Sequence, residues 1–203
     1  MVKNRNENII HQMDDLQKII TNKNVSDYEK GICNLAYWTG ARLAEVVQIM
    51  IAIKAGEKEA VLVKGKGGII YKAILKDEWL TYFESVDWDN TYINYQSIRK
   101  MIYRLEDKVG FKVSMHGFRR GIASDCRLFR IPTEMVQNLL NHANLKTTQL
   151  YQKKVSRSND VREIYSMLEN GINKNLDLDY YKKLSFQLKE ENRILKIKIG
   201  GDK

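Results

Sequence analysis

The sequence predicts an α+β fold, mainly α-helical, with a small three-stranded antiparallel sheet and a C-terminal helical tail. Three observations predict it. Apolar residues recur at helical spacing along most of the 203 residues. One stretch, Ala60 to Tyr71, reads instead as strand, glycine turn, strand. After Gly171 leucine and charge dominate, as in an amphipathic helix. The length suits one domain with a core of its own plus a short appendage. We place the domain at 7–170 and the tail at 172–199.

The elements follow in order. Ile9, Ile10, Met13, Leu16, Ile19 and Ile20 share a helical face, closed by the polar stretch Thr21 to Asn24. Ser26 or Asp27 caps the next helix, whose apolar face runs through Ile32, Leu35 and Ala36 until Thr39-Gly40 breaks it. A short helix carries Leu43, Val46, Val47 and Met50, and Ile51 to Lys54 supplies the third strand. The hairpin pairs Ala60-Val61-Leu62-Val63 with Ile69-Ile70-Tyr71 across Lys64-Gly65-Lys66-Gly67-Gly68. Helical patterning resumes over Lys76 to Glu84 and from Ser97 to Val109, where Ile98, Ile102 and Leu105 align. His116 to Phe129 reads as the central helix. Pro132 suits the first turn of the helix after it. Two short helices flank the break at Asn141-His142-Ala143-Asn144. In the tail, Leu178, Ser185, Asn192 and Ile199 form one heptad seam position, and Tyr181, Leu188 and Leu195 the other.

Composition narrows the function. The chain carries 34 Lys and Arg against 25 Asp and Glu, a formal net charge of +9, which favours a polyanionic partner. Cys33 and Cys126 stand far apart without a CxxC partner, which excludes a disulfide scaffold or a cysteine-rich zinc module and fits an intracellular protein. No apolar run reaches membrane-spanning length, and the polar start from Met1 to Glu7 has no secretory apolar region.

Singly, the polar residues that attract notice have ordinary structural explanations. Arg42 and Glu45 are spaced as a helical surface ion pair, Lys66 as a solvated hairpin tip, and His116 and His142 as helix-end residues. Together with Arg119 and Tyr151 they match one task, phosphoryl transfer. A phosphodiester resists attack because its oxygens are negative and its leaving group is poor. Without a metal, an enzyme needs cations on the nonbridging oxygens, a nucleophile, a proton acceptor and a proton donor. No carboxylate pair or histidine cluster has metal-ligand spacing, so neither metal nor cofactor is expected.

At this point the chain resembles a known family. Thr39-Gly40-Ala41-Arg42-Leu43-Ala44-Glu45 resembles the first arginine box of tyrosine recombinases, the phage-integrase and Xer family. Gly65-Lys66-Gly67 is similar to their β-hairpin lysine, and His116-Gly117-Phe118-Arg119-Arg120 to their HxxR box. Leu139-Leu140-Asn141-His142 and Thr147-Thr148-Gln149-Leu150-Tyr151 resemble the terminal box. The four boxes stand in family order between about Asn8 and Val155.

The resemblance implies the tyrosine-recombinase catalytic fold and a site-specific recombinase or integrase that cuts and rejoins DNA. Tyr151 would attack a phosphate, giving a 3′-phosphotyrosyl link and a free 5′-hydroxyl. Arg42 and Arg119 would stabilise the phosphorane, Lys66 would protonate the leaving oxygen, His116 would serve proton transfer at the tyrosine, and His142 would hydrogen-bond the phosphate. Glu45 would orient the arginines. Lys64, Arg99, Lys100, Arg104, Arg120, Arg127 and Lys146 are expected to grip the double-stranded DNA, with Lys153 and Lys154 beyond them. Self-association into a tetramer on DNA is implied, as is an origin in a mobile element or virus. A type IB topoisomerase-like relaxing enzyme, or a non-catalytic DNA-binding relative, are the alternatives.

Three departures stand out. Asn141 replaces the family glycine before the second histidine, and asparagine tolerates the left-handed turn next best. Gly121 replaces a more usual hydroxyl residue. The helix from Asn8 to Ile20 already resembles the start of the catalytic domain, so the separate core-binding domain is not expected within this chain.

Overall fold

The computed structural model describes residues 9–131, 133–140 and 161–169. The described helices are α1 (Met13–Thr21), α2 (Asp27–Thr39), α3 (Leu43–Lys54), α4 (Asp77–Leu80), α5 (Tyr95–Val109), α6 (Met115–Leu128), α7 (Thr133–Leu140) and α8 (161–169). Strands β1 (Ala60–Lys64) and β2 (Ile70–Ile74) form an antiparallel hairpin.

α2 is the central element. It starts at a reciprocal cap, with the Glu29 N–H donating to Ser26 Oγ and the Ser26 N–H donating to the Glu29 carboxylate. Every residue from Gly31 to Thr39 is buried. It ends where Gly40 turns left-handed at φ 58°, a conformation that costs glycine least. α6 packs along α2, so the sequence-predicted central helix is a neighbour of the true one. Trp38 of α2 stacks on Trp79 of α4 at 5.9 Å, and Tyr165 of α8 meets both rings edge-on. Ile164 and Leu168 are fully buried beside Tyr165, so α8 belongs to the same core. Cys33 and Cys126 are buried, and burial pushes both thiols up, Cys126 to about 12.

α1 lacks a cap of its own. Gln12 stands at the N-cap without a side-chain bond, and Asp125 of α6 accepts from the Met13 N–H at 3.0 Å and from Gln12 Nε2 at 2.8 Å. Tyr37 of α2 donates to the same carboxylate. One buried aspartate thereby joins α1, α2 and α6.

The hairpin alternates as a half-buried sheet should. Val61, Val63, Tyr71 and Ala73 face inward, while Leu62, Lys64, Ile70 and Lys72 face out. The expected third strand is absent among the described residues, where the sheet has two strands. Ile51 to Lys54 instead completes α3. That run holds two β-branched residues, Ile51 and Ile53, but Val46, Ile49, Met50 and Ile53 lie at helical spacing, and burial of Ile49 and Met50 outweighs the weak strand preference. The stretch expected as one helix over Lys76 to Glu84 is α4 followed by a 3₁₀ turn, Thr81–Phe83. α5 starts two residues earlier than the spacing predicts, because Asn94 and Ser97 cap it reciprocally. The tail at 172–199, with its heptad seams, lies outside the described residues, as do Pro132 and the Asn141 turn. No helix among the described residues is long and apolar enough to cross a membrane.

Candidate active site

The first arginine box sits where α2 hands over to α3. The Gly40 turn releases the chain, and Arg42 becomes the N-cap residue of α3. Glu45 is 2% exposed, so it is not half of a surface ion pair. Its carboxylate accepts from the Arg42 guanidinium at 2.9 Å, from the Arg42 backbone N–H at 2.8 Å and from the Tyr71 hydroxyl at 3.1 Å. Three donors on one carboxylate satisfy its burial and fix the direction in which Arg42 points.

Arg119 arrives from α6 and is 8% exposed. One terminal nitrogen donates to the Gly40 carbonyl and the other to the Leu140 carbonyl. The guanidinium fork thus ties the arginine-box turn to the end of α7, where the terminal box begins. Close packing supports that bond, since a Cβ on Gly40 would stand 2.6 Å from Leu140 Cδ2.

His116 lies one turn before Arg119, near the start of α6, which Ser114 caps by accepting the Gly117 N–H at 3.2 Å. Partial burial holds the imidazole below its usual value, reinforced by the positive charges of Arg120, Arg119 and Arg42 and opposed by Glu45. Four residues from two sequence boxes therefore meet: Arg42, Glu45, His116 and Arg119. The electrostatics favour a neutral imidazole, able to accept a proton.

That depression has a measurable consequence. A step needing neutral His116 should hold its rate as pH falls through 6.5, the ordinary histidine value, and fail only below it. For a reaction at this site that needs neutral His116, the acid limb of the rate profile should lie below pH 6.5, and Arg120→Gln, which removes a neighbouring charge, should move it upward. A limb above 6.5, or one unmoved by Arg120→Gln, contradicts this electrostatic arrangement.

Lys66 is exposed at the hairpin tip, in a 3₁₀ turn with Gly67 and Gly68. Lys64 is exposed on the outer face of β1. Arg99, Lys100 and Arg104 project from the exposed side of α5, which packs on α3. Arg99 Nε donates to the Tyr103 hydroxyl at 2.9 Å, and its guanidinium carbon lies 5.6 Å from that ring centre. Arg120 donates to the Ile9 carbonyl at 3.2 Å, so it also fastens the N-terminal segment. Arg127 is exposed on α6. His142, Lys146 and Tyr151, with Lys153 and Lys154, lie outside the described residues. Among the described residues no three His, Cys, Asp or Glu side chains are gathered as a metal site requires.

Sequence reasoning missed three residues that build this site. Tyr71 looked like one more strand aromatic, and only a buried carboxylate opposite reveals the use of its hydroxyl. Gln48, whose amide grips the backbone of Lys64, carries no sequence signal at all. His11 is 2% exposed and seats the N-terminal segment on α6, its Nε2 accepting from the Ser114 N–H at 3.1 Å.

Comparison with known proteins shows which family the chain resembles. The chain is 30% identical to the tyrosine recombinase XerA of Pyrococcus furiosus over 156 residues, 68% of this chain and 54% of the relative. It is 28% identical to the XerA of Pyrococcus horikoshii over 159 residues, 69% of this chain and 55% of the relative. It is 26% identical to the tyrosine recombinase XerC of Listeria innocua over 153 residues, 64% of this chain and 51% of the relative. The chain spans about half the length of the curated relatives it matches. No solved structure matches it significantly. The family model of the phage integrase family matches residues 9–157, a span holding the candidate residues Arg42, Lys66, His116, Arg119, His142 and Tyr151, and the chain belongs to that family, the tyrosine recombinases.

Proposed function

We propose that this chain is the catalytic domain of a site-specific recombinase that cleaves and rejoins double-stranded DNA through Tyr151. The observation that carries the reading is the convergence of Arg42 and Arg119 at the Gly40 turn beside a histidine held neutral. Two fixed guanidinium groups are the right electrostatic partner for a phosphorane, whose charge grows on the nonbridging oxygens.

The step runs as follows. The Tyr151 hydroxyl oxygen bonds to phosphorus while the bond from phosphorus to the bridging 5′ oxygen breaks. The tyrosine proton passes to the neutral imidazole of His116. Lys66 donates an ammonium proton to the departing 5′ oxygen, so a free hydroxyl leaves. His142 adds a hydrogen bond to the phosphate. The product is a 3′-phosphotyrosyl ester whose energy nearly equals that of the bond broken, so a second strand's 5′-hydroxyl reverses the step and reseals.

Lys64, Arg99, Lys100, Arg104, Arg127 and Lys146 hold the flanking phosphates in this reading, and Arg120 stands nearer the catalytic imidazole. Assembly of the working complex, a tetramer on two DNA sites, falls to the segment after 170.

The test uses the full chain and a pool of nicked duplexes randomised around the scissile position. We expect a denaturant-resistant protein–DNA adduct, with the nucleotide attached to Tyr151 by peptide mapping and a recoverable DNA sequence preference. Adducts without sequence preference would indicate a topoisomerase-like relaxing enzyme. Salt-sensitive binding without any adduct would indicate a non-catalytic DNA binder.

A further inference from the structure

The hairpin tip is exposed at Lys66, Gly67 and Gly68. Nothing lies within 4 Å of where a Cβ would stand on Gly67 or Gly68, and both glycines have positive φ. The placement of Lys66 therefore depends on how the base of the turn is held.

In the β1–β2 register Val63 pairs with Tyr71 and Gly65 bonds across to Ile69, so the backbone groups of Lys64 point away from β2. Both are taken by one side chain of α3. Gln48 Oε1 accepts from the Lys64 N–H at 2.9 Å, and Gln48 Nε2 donates to the Lys64 carbonyl at 3.0 Å. The amide does at one residue what a neighbouring strand would do along an edge. Its Nε2 also donates to the Ala44 carbonyl at 3.2 Å, which fixes the amide to the first turn of α3. That turn begins at Arg42. Lys64 is two residues before Lys66, so the clamp measures the hairpin tip directly against the arginine-box helix.

We propose that Gln48 is a positioning residue for Lys66, holding its ammonium at the distance from Arg42 at which it protonates the leaving 5′ oxygen. This rests on the reading of Lys66 as the proton donor. Three things set the role apart from general stability. The hairpin's inner residues Val61, Val63, Tyr71 and Ala73 are buried and hold it to the core without Gln48. The Tyr71–Glu45 bond remains as a second tether. Displacement of a catalytic group by about 1 Å is enough to slow a reaction about 100-fold.

The experiment compares leaving groups. The full chain cleaves duplexes recovered from the randomised pool, made either with the natural 5′ oxygen or with sulfur at that bridging position. A thiolate leaves without a proton, so a defect confined to proton donation vanishes on the sulfur substrate. Lys66→Ala should be slow on oxygen and near wild type on sulfur. Gln48→Met, similar in length but without the amide, should be about 10- to 100-fold slower on oxygen and within about threefold of wild type on sulfur. Gln48→Glu, which keeps the acceptor but sets an oxygen against the Lys64 carbonyl, should follow it and serves if Gln48→Met folds poorly. Equal defects of the Gln48 variants on both substrates, or none on oxygen, overturn the proposal. Failure of sulfur to rescue Lys66→Ala overturns the proton-donor reading itself, and the proposal with it.

Discussion

Arg119→Lys is expected to slow adduct formation by about 100- to 1,000-fold, the range seen when one pre-aimed donor is removed from a developing oxyanion. The substitution keeps the positive charge and removes the fork. In the structure one terminal nitrogen reaches the Gly40 carbonyl and the other the Leu140 carbonyl. A single ammonium cannot span both. The guanidinium is buried, so an unbridged carbonyl there is also costly, at about 1–3 kcal/mol for each group left unpaired. Two deficits should therefore appear together: a slower chemical step and a lower unfolding free energy.

Their separation is the useful part. Single-turnover cleavage at saturating DNA reads the chemistry, and urea unfolding of the free protein reads the bridge. Arg42→Lys makes the comparison informative. Arg42 is less buried than Arg119, and among the described residues its hydrogen bonds run to Glu45, three positions on, and not across the fold. It should lose rate with a smaller loss of stability. If Arg119→Lys cleaved within about tenfold of wild type, the bridging arginine would be a structural strut and not a phosphate ligand.

Much of this site was legible as spacing, because the chemistry requires particular residue types at chain positions that short motifs preserve. Arg42, Glu45, His116 and Arg119 could be named for that reason. The helix ends at Ser26 and Gly40 were legible too, since capping is a local matter of one side-chain oxygen or one left-handed residue. What escaped was decided by contacts distant in sequence. Whether Ile51 to Lys54 is strand or helix depends on what covers Ile49 and Met50, and propensity alone favoured the wrong answer. The cap of α1 comes from Asp125, more than a hundred residues away, while the local N-cap residue contributes no side-chain bond. Glu45 could be named as the residue that orients the arginines, but its third donor, Tyr71, is a strand residue that only the fold brings against the buried carboxylate.

Gly121 belongs with these long-range cases, and a methyl added there meets a closer backbone contact than at Gly31, Gly40 or Gly117. As a departure from the family pattern it looked like the loss of a hydroxyl. In the structure a Cβ at that position would stand 1.6 Å from the carbonyl oxygen of His11 and 2.4 Å from its carbon. Both atoms are backbone, so no rotamer change relieves the clash. His11 is itself held, its N–H donating to the Gly117 carbonyl at 3.0 Å and its Nε2 accepting from the Ser114 N–H at 3.1 Å. The next residue, Gln12, is bound to Asp125. Gly121→Ala must therefore push residues 9–12 off α6 and take the cap of α1 with them. We expect a loss of about 3 kcal/mol, at the upper end of ordinary overpacking, measured by urea unfolding.

The pH dependence gives this prediction a second, independent reading. Burial lowers the titration of His11 below 6.5, against the opposing pull of Asp15 and Glu106. The folded protein then binds fewer protons than the unfolded chain, so His11 contributes stability that is complete above pH 6.5 and is lost as pH falls below it. His116 is shifted the same way and adds to that slope. Once Gly121→Ala has lifted His11 away from α6, its imidazole should titrate as in the unfolded chain, and the share of the stability loss just below pH 6.5 that His11 contributes should vanish, leaving that of His116. A variant that is destabilised yet keeps the full wild-type slope would show that His11 remains seated, and that Gly121 is needed for some reason other than the approach of the His11 backbone.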